Sequence, residues 1–550
     1  MKRKGNVMSS CVAVVVMIGL GFAGFFANEP LEAKATSSLG EHVTKIFGGS
    51  NSSFALTSSS RVYAWGYNNK GQLGDGTLAD NKAPKRIEFD GLASGESVLS
   101  LSAGHYHTLA LTSYGNVYAW GLNDNGQLGD GTLTSSQTPK RISFDRLASG
   151  ESVIALSAGM NDSFALTSTG NVYSWGFNGY GQLGNGTNTF EAIPSTPKRI
   201  SFVGLASGES VIAISAGGVH ALALTSSSHV YSWGYNNFGQ LGDGTENENS
   251  TPKGALIGDL DSGESVVAIA AEECQSFAIT SSGRMYSWGA DCNDQLGDKQ
   301  QSNVLIPKKI SLGGLDSGEL IVSISPGNSH TAIFTSYGNV YAWGRNNNGQ
   351  LGDGTTNNNM SPKRVSFSGL DSGDSVVAIS SGHYDTLALT SAGYVYACGG
   401  NQAGQLGDGT LIDRYTPTAA LISPDYIFSA NLFCYKTCSE YNEAYTALSS
   451  DYAALTPTQV ANLANISSND YPSVSPESGL DYSGLSKSVP TTTANKWAAI
   501  ASLHNSSYQA IRTQDLNDER SIGLLTFVFV SAMAIWGALF IKKRKRKQVE

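Results

Sequence analysis

Residues 97–144 read SVLSLSAGHYHTLALTSYGNVYAWGLNDNGQLGDGTLTSSQTPKRISF, and the order of their parts decides the fold. Four short β-rich runs, SVLSLSAG, HTLALT, VYAWG and PKRISF, are separated by turn residues. HTLALT and VYAWG are joined by the glycine-containing SYGN, which is a hairpin signal. GQLGDGT at 126–132 supplies glycines for turns that need positive φ. The runs are apolar or aromatic on both faces, as expected of sheets covered on both sides.

The passage recurs along the chain. VYAWG stands at 62–66 and 117–121, VYSWG at 172–176 and 230–234, MYSWG at 285–289, VYAWG at 340–344 and VYACG at 395–399. Trp65, Trp120, Trp175, Trp233, Trp288 and Trp343, with Cys398 in the seventh slot, are spaced 55, 55, 58, 55, 55 and 55. Seven four-stranded units close most naturally into a ring, so the expectation is an all-β, seven-bladed β-propeller of about 55-residue repeats over residues 43–422. An open β-solenoid is the competing architecture, but its coils are usually shorter. The fifth copy reads DCNDQLGDKQ at 291–300, losing the glycine before Gln295 and the final Gly-Thr. This and Cys398 read as divergence within a tolerant scaffold.

The recurring SAGxxHTLALT, VYAWG, NxxGQLGDGT and Pro-Lys-Arg elements resemble regulator of chromosome condensation repeats over about residues 43–422. The resemblance implies a seven-bladed propeller, in agreement with the count. It also implies a range of functions: founding members of that family act as nucleotide-exchange factors for a small nuclear GTPase and bind chromatin, while others serve as interaction modules. A guanine-nucleotide exchange factor-like regulator is thus one implied reading.

Composition and the two ends point elsewhere. Glycine at 63 of 550 residues and only 15% charged residues suit many tight turns between short strands. Outside residues 1–35 and 521–550 there are 25 basic and 42 acidic side chains, a net charge of −17, the wrong sign for neutralising phosphates, so no nucleic acid is expected as partner. Lys2, Arg3 and Lys4, an apolar run from Cys11 to Ala27 and Ala33-Lys34-Ala35 read as a signal peptide over 1–35, cleaved after Ala35; an uncleaved anchor helix is the alternative. Residues 521–541 carry no charge and precede six consecutive basic residues at 542–547, the pattern of a transmembrane helix with a basic cytoplasmic tail at 542–550. Between the repeats and that helix, 423–520 is expected to form a small helical stalk. Cys434, Cys438, Tyr441, Tyr445, Leu448, Tyr452 and Leu455 fall three or four apart, and Thr456-Pro457-Thr458-Gln459 offers a helix start. The chain therefore reads as a single-pass cell-membrane protein with its propeller extracellular.

Candidate chemistry is sparse. His107, His220 and His330 share a repeat slot with Ser52, Asp162, Gln275 and Asp385, which suits a structural hydrogen-bonding group rather than a metal ligand. Asp75, Asp130, Asn185, Asp243, Asp353 and Asp408 are expected to serve turns, and the Lys-Arg pairs at 85–86, 140–141, 198–199 and 363–364 to protect outer edge strands. No metal, cofactor or catalytic constellation is expected. Between the GDGT-slot threonine and the proline that begins the outer-strand Pro-Lys element, Pro197 in the third copy, that copy has nine residues, 188–196, where the others have six before the equivalent proline. Loops that vary on a regular scaffold are where binding is placed, so Phe190, Glu191, Arg414 and Tyr415 are the expected binding residues, with Phe190 protruding. A functionless insertion is the alternative. Cys274 and Cys292 are expected nearly opposite one another across a hairpin, as a disulfide or as two free thiols. The functional expectation is adhesion or recognition of an extracellular protein or glycan. A surface carbohydrate-active enzyme is the enzymatic alternative, expected to show a carboxylate pair in a deep central cleft.

The topology has a direct check. Protease added to intact cells should digest residues 43–422 and spare the basic tail; protected repeats would contradict an extracellular propeller.

Overall fold

A computed structural model describes residues 41–422 apart from Asp145, Arg146, Asp259 and Gly314. Within them lie twenty-eight strands in seven antiparallel four-stranded sheets, each made of four consecutive strands. Blade one comprises Val43–Gly48, Ser52–Thr57, Val62–Gly66 and Asn81–Ile87; blade seven comprises Val376–Ser381, Asp385–Thr390, Val395–Gly399 and Arg414–Ala419. The expected seven-bladed propeller is thus present. The expected signal peptide, stalk, transmembrane helix and tail lie outside the described residues. Among the described residues no helix is long and apolar enough to cross a membrane.

Continuous apolarity has the predicted consequence. The second strand of every blade is buried along its whole length, as in His107–Thr112, because each of its faces packs against a neighbouring sheet. Hydrophobic clusters accordingly straddle blades: Phe54, Leu56 and Val62 of blade one pack with Leu101, Tyr118 and Trp120 of blade two.

Two belts of hydrogen bonds join the blades. In the first, each blade tryptophan is fully buried and its indole Nε1–H donates to a glutamine backbone carbonyl of the preceding blade: Trp120 to Gln72, Trp175 to Gln127, Trp233 to Gln182, Trp288 to Gln240 and Trp343 to Gln295, at 2.8–3.1 Å. Trp65 closes the ring by donating to the Gln405 carbonyl at 2.9 Å. Hydroxyls of Ser53, Thr108, Ser163, Ser276 and Thr331 donate to the same carbonyls at 2.8–3.0 Å, and Thr386 donates to the Gln350 carbonyl at 2.9 Å. The glycine two residues after each glutamine must lack a side chain: a Cβ on Gly407 would lie 2.7 Å from Trp65 Nε1. Cys398 leaves its thiol 3.7 Å from the Gln350 carbonyl, a weaker contact. In the second belt, nearer the axis, serine hydroxyls of the first strands accept from backbone N–H groups of the next blade, as when Ala158 N–H donates to Ser102 Oγ at 2.9 Å and Gly48 N–H to Ser380 Oγ at 2.8 Å.

Within a blade the NxxGQLGDGT loop is organised by its asparagine. Asn68, fully buried, accepts from Leu73 N–H at 2.9 Å and donates to Asp75 Oδ1 and to the carbonyls of Thr77 and Ala79 at 3.0–3.1 Å. Asp75 in turn caps Thr77 and pairs with Lys85 of the outer strand at 2.7 Å. The loop aspartates therefore serve turns as expected, and the outer-strand lysines answer them: Lys140, Lys253 and Lys363 pair with Asp130, Asp243 and Asp353 at 2.5–2.8 Å. Blade five breaks this pattern with Asp291 in the asparagine slot. Burial, together with Asp298, pushes its carboxyl up to about 7.

One expectation needs correction. Cys274 and Cys292 are free thiols. The observed register pairs Gln275 with Gly289, and Ala290 N–H bonds the Cys274 carbonyl at 2.9 Å. Ala290, two residues earlier than expected, therefore faces Cys274.

Because the indole belt carries the blade contacts, Trp65→Ala should lower unfolding stability by about 3–5 kcal/mol, whereas Cys398→Ala should cost only about 1 kcal/mol. Urea unfolding of both variants measures the difference; equal losses would contradict the belt.

Candidate recognition face and axial cluster

Antiparallel pairing puts two kinds of loop on one face. Ser52 pairs with Gly66 and His107 with Gly121, so the first-to-second strand connections and the NxxGQLGDGT loops emerge together. The first of these turn at the axis. Equivalent residues after the turn are Ser50, His105, Met160, Gly218, Glu273, Asn328 and His383. Their backbones bond one another across blades: Met160 N–H to the Gly218 carbonyl at 3.2 Å, Gly218 N–H to the Glu273 carbonyl at 2.9 Å and His383 N–H to the Ser50 carbonyl at 3.1 Å.

Four side chains from three non-adjacent blades meet there. His105 Nε2 lies 2.7 Å from Glu273 Oε1; His383 Nε2 lies 3.0 Å from the same oxygen and 3.3 Å from Glu272 Oε1. The two imidazoles stand edge to face with centroids 4.2 Å apart, and Ser50 Oγ contacts His383 Nδ1 at 2.9 Å. The separations are those of charged hydrogen bonds, yet neither Nε2 has an acceptor along its N–H direction. Burial opposes charge on His383, but Glu272 and Glu273 outweigh it and hold its pKa up to about 9. Burial likewise opposes charge on Glu273, and His105 and His383 outweigh it, holding the carboxyl far below its ordinary range. Glu273 sits at φ 44°, strained for a residue with a side chain. The cavity bordered by Ser50, His105, Glu272 and His383 holds about 20 Å³, room for a single water or ion.

The sequence left a signal for this cluster: blade five reads Ala270-Ala271-Glu272-Glu273 where other copies read Ser-Ala-Gly or similar. The histidines singled out from sequence lie two positions further on. His107, His220 and His330 are fully buried between blades, their Nε2 atoms 2.8–3.0 Å from hydroxyls of Ser163, Ser276 and Thr386. That slot is structural, as expected.

Farther out on the same face runs a chain of aromatic rings. Phe177, Phe190 and Tyr180 of blade three contact edge to face at centroid distances of 5.3–6.2 Å, Tyr180 meets Tyr235 of blade four at 4.8 Å, and Tyr235 meets Phe238 at 6.1 Å. Phe190 belongs to the inserted loop and is 68% exposed, as predicted. Gly179 makes room for it, since a Cβ there would lie 2.7 Å from the Phe190 ring. The insertion leaves a fourth strand of two residues, Lys198–Arg199, in blade three. Of the other expected binding residues, Glu191 is exposed in the same loop. Tyr415 lies against Gly349 of blade six, half-exposed. Arg414 stands in the slot of Asn81 and pairs with Asp408 at 2.6 Å, supplying the cation that Lys85 gives Asp75 in blade one.

Comparison with known proteins follows this geometry. Residues 195–432 match the RCC1-like domain, and residues 59–111 and 114–166 match the regulator of chromosome condensation (RCC1) repeat. The chain is 32% identical over 390 residues to the ultraviolet-B receptor UVR8 of Arabidopsis thaliana, covering 71% of this chain and 84% of that protein. It is also 32% identical to the human E3 ubiquitin-protein ligase HERC2, but spans only 7% of that protein's length. Among solved structures, human WBSCR16 superposes with a TM-score of 0.59 at 26% identity, over 66% of this chain and 94% of that one. Prp20p of Saccharomyces cerevisiae, described with its binding to Gsp1p and histones, superposes with a TM-score of 0.56 at 26% identity, over 66% and 86%.

The buried histidines make stability pH-dependent. Burial pushes His107 and His330 down to about 3 and His220 down to about 4. Below about pH 6.5 the unfolded chain protonates them while the folded ring does not. Their contribution is thus complete above that value and is lost as pH falls toward the folded pKa, on the order of 1 kcal/mol per pH unit for each. Asp162 and Asp385, whose carboxyls burial pushes up, give the opposite slope. His107→Gln, copying Gln275 of blade five, should flatten the acid limb of stability against pH; an unchanged slope would contradict the assignment.

Proposed function

This chain belongs to the regulator of chromosome condensation (RCC1) repeat family, and from that premise we propose that it is a non-catalytic recognition protein that binds a protein partner through the loop face of its propeller. The observation that carries this reading is the aromatic chain from Phe177 to Phe238, presented by the inserted loop and by Gly179. Rigid aromatic side chains supply large contact area at small entropic cost and dominate protein interfaces. A similar structure supports a protein as partner: Prp20p is described with its binding to Gsp1p and histones. In this reading the face is extracellular, which the signal-peptide and membrane-anchor patterns of the sequence support.

A surface carbohydrate-active enzyme is less well supported. Glu272 and Glu273 do cluster at the axis, but beside two histidines and a cavity of about 20 Å³, too small for a sugar. Screening the chain, displayed on cells, against panels of surface proteins and glycans tests the proposal. Phe190→Ser with Tyr235→Ser should weaken capture of the selected protein at least tenfold with unchanged thermal stability. Unaltered capture by the folded variant would move the site to the opposite face, glycan capture would replace the ligand class, and selective capture of a small GTPase would favour the exchange-factor reading.

A further inference from the structure

We infer that His105, His383, Glu273 and Glu272 form a zinc site that clamps the axial mouth of the propeller. One ligand atom from each residue lies within 4.8 Å of the other three. Ligands 2.0–2.2 Å from a tetrahedral Zn²⁺ stand roughly 3.3–3.6 Å apart. Three of the separations, 2.7, 3.0 and 3.3 Å, need to open slightly, and the others, within 4.8 Å, to close toward that spacing to hold the ion.

Three further observations favour an ion over a plain ion-pair network. Both Nε2 atoms crowd one carboxylate oxygen without directing an N–H at it, so the cluster is short in distance but poor in hydrogen-bond geometry. Once the ion displaces the Nε2 protons, lone pairs converging on a point between them satisfy the same positions. Ser50 Oγ holds His383 Nδ1 at 2.9 Å, the outer contact that orients a metal-binding imidazole. Glu273 is held at φ 44° by strand pairing on one side and by Gly218 N–H on its carbonyl, a strained backbone that aims its carboxylate at the axis. The small cavity beside them suits an ion and excludes an organic ligand.

Two imidazoles and two carboxylates are a borderline donor set, which suits Zn²⁺ better than Ca²⁺ or Mg²⁺. Four protein ligands leave no open position, so the site is structural: it ties blades two, five and seven across the ring. This holds whichever partner the outer aromatic face binds.

The test is titration of the metal-stripped full chain with ZnCl₂ by calorimetry and with Co²⁺ by visible absorption. The expected result is one tight equivalent of zinc, a raised melting temperature, and the intense d–d bands of four-coordinate Co²⁺. His105→Asn with Glu273→Gln removes one ligand of each charge and should weaken binding at least 100-fold, while His229→Ala should change nothing. Ser50→Ala keeps every ligand and should weaken binding about tenfold, a result that stands even if the double variant misfolds. No saturable equivalent in the wild type, the weak bands of octahedral Co²⁺, or wild-type affinity in a folded double variant would overturn the site.

Discussion

The bond from a tryptophan indole to the glutamine carbonyl of the preceding blade is the constraint from which the rest of the structure follows. It fixes the separation and rotation of adjacent sheets, because the indole is wholly buried and has one partner to reach. It demands glycine two residues after the glutamine, since any Cβ there would strike the ring. It also closes the circle without sharing a strand between the two ends: Trp65 donates to Gln405 as every other tryptophan donates to its own predecessor. Apart from the axial loops, where blades two, five and seven meet, each blade contacts its nearest neighbours, and in a closed ring each blade is held on both sides.

Ring closure explains why the face is built as it is. Loops at the first-to-second strand connection meet at the axis whatever they carry, so single substitutions in separate repeats become neighbours. Loops of the NxxGQLGDGT type lie farther out and are held rigidly by the buried asparagine, which lets the third copy carry a longer insertion while losing only most of its outer strand. Blade five concentrates the departures: Glu272 and Glu273 at the axis, Asp291 for asparagine, and Asp294 and Lys299 at positive φ where other copies have glycine. The damaged outer loop and the charged axial loop therefore belong to one blade.

The fold was legible because its signals are periodic: the tryptophan recurs six times with Cys398 in the seventh slot, turn glycines recur in step with it, and the apolar runs repeat in all seven units. The buried histidine slot was legible for the same reason. The axial cluster was not, because His105, Glu273 and His383 are exceptions in a slot that also accepts Ser50, Met160, Gly218 and Asn328, and their proximity arises only from closure. Side-chain alternation matters here too: His105 and His107 are two apart in sequence, but the turn sends one to the axis and the other between blades. The cysteine pairing failed on register, since a shift of two residues across the blade-five hairpin puts Ala290 opposite Cys274. Phe190 was legible as an insertion, but its aromatic neighbours come from blade four as well as blade three, and linear spacing does not reveal that contact.

Hydrogen exchange of the six blade indole Nε1 protons, followed by NMR as denaturant is raised, tests the central claim most directly. If the indole belt makes the ring one cooperative unit, all six protons should exchange only through global opening, with equal free energies that fall together along the slope of global unfolding. Exchange staggered blade by blade, with some indoles opening at far lower free energy than others, would show that the blades are held independently and would contradict the account.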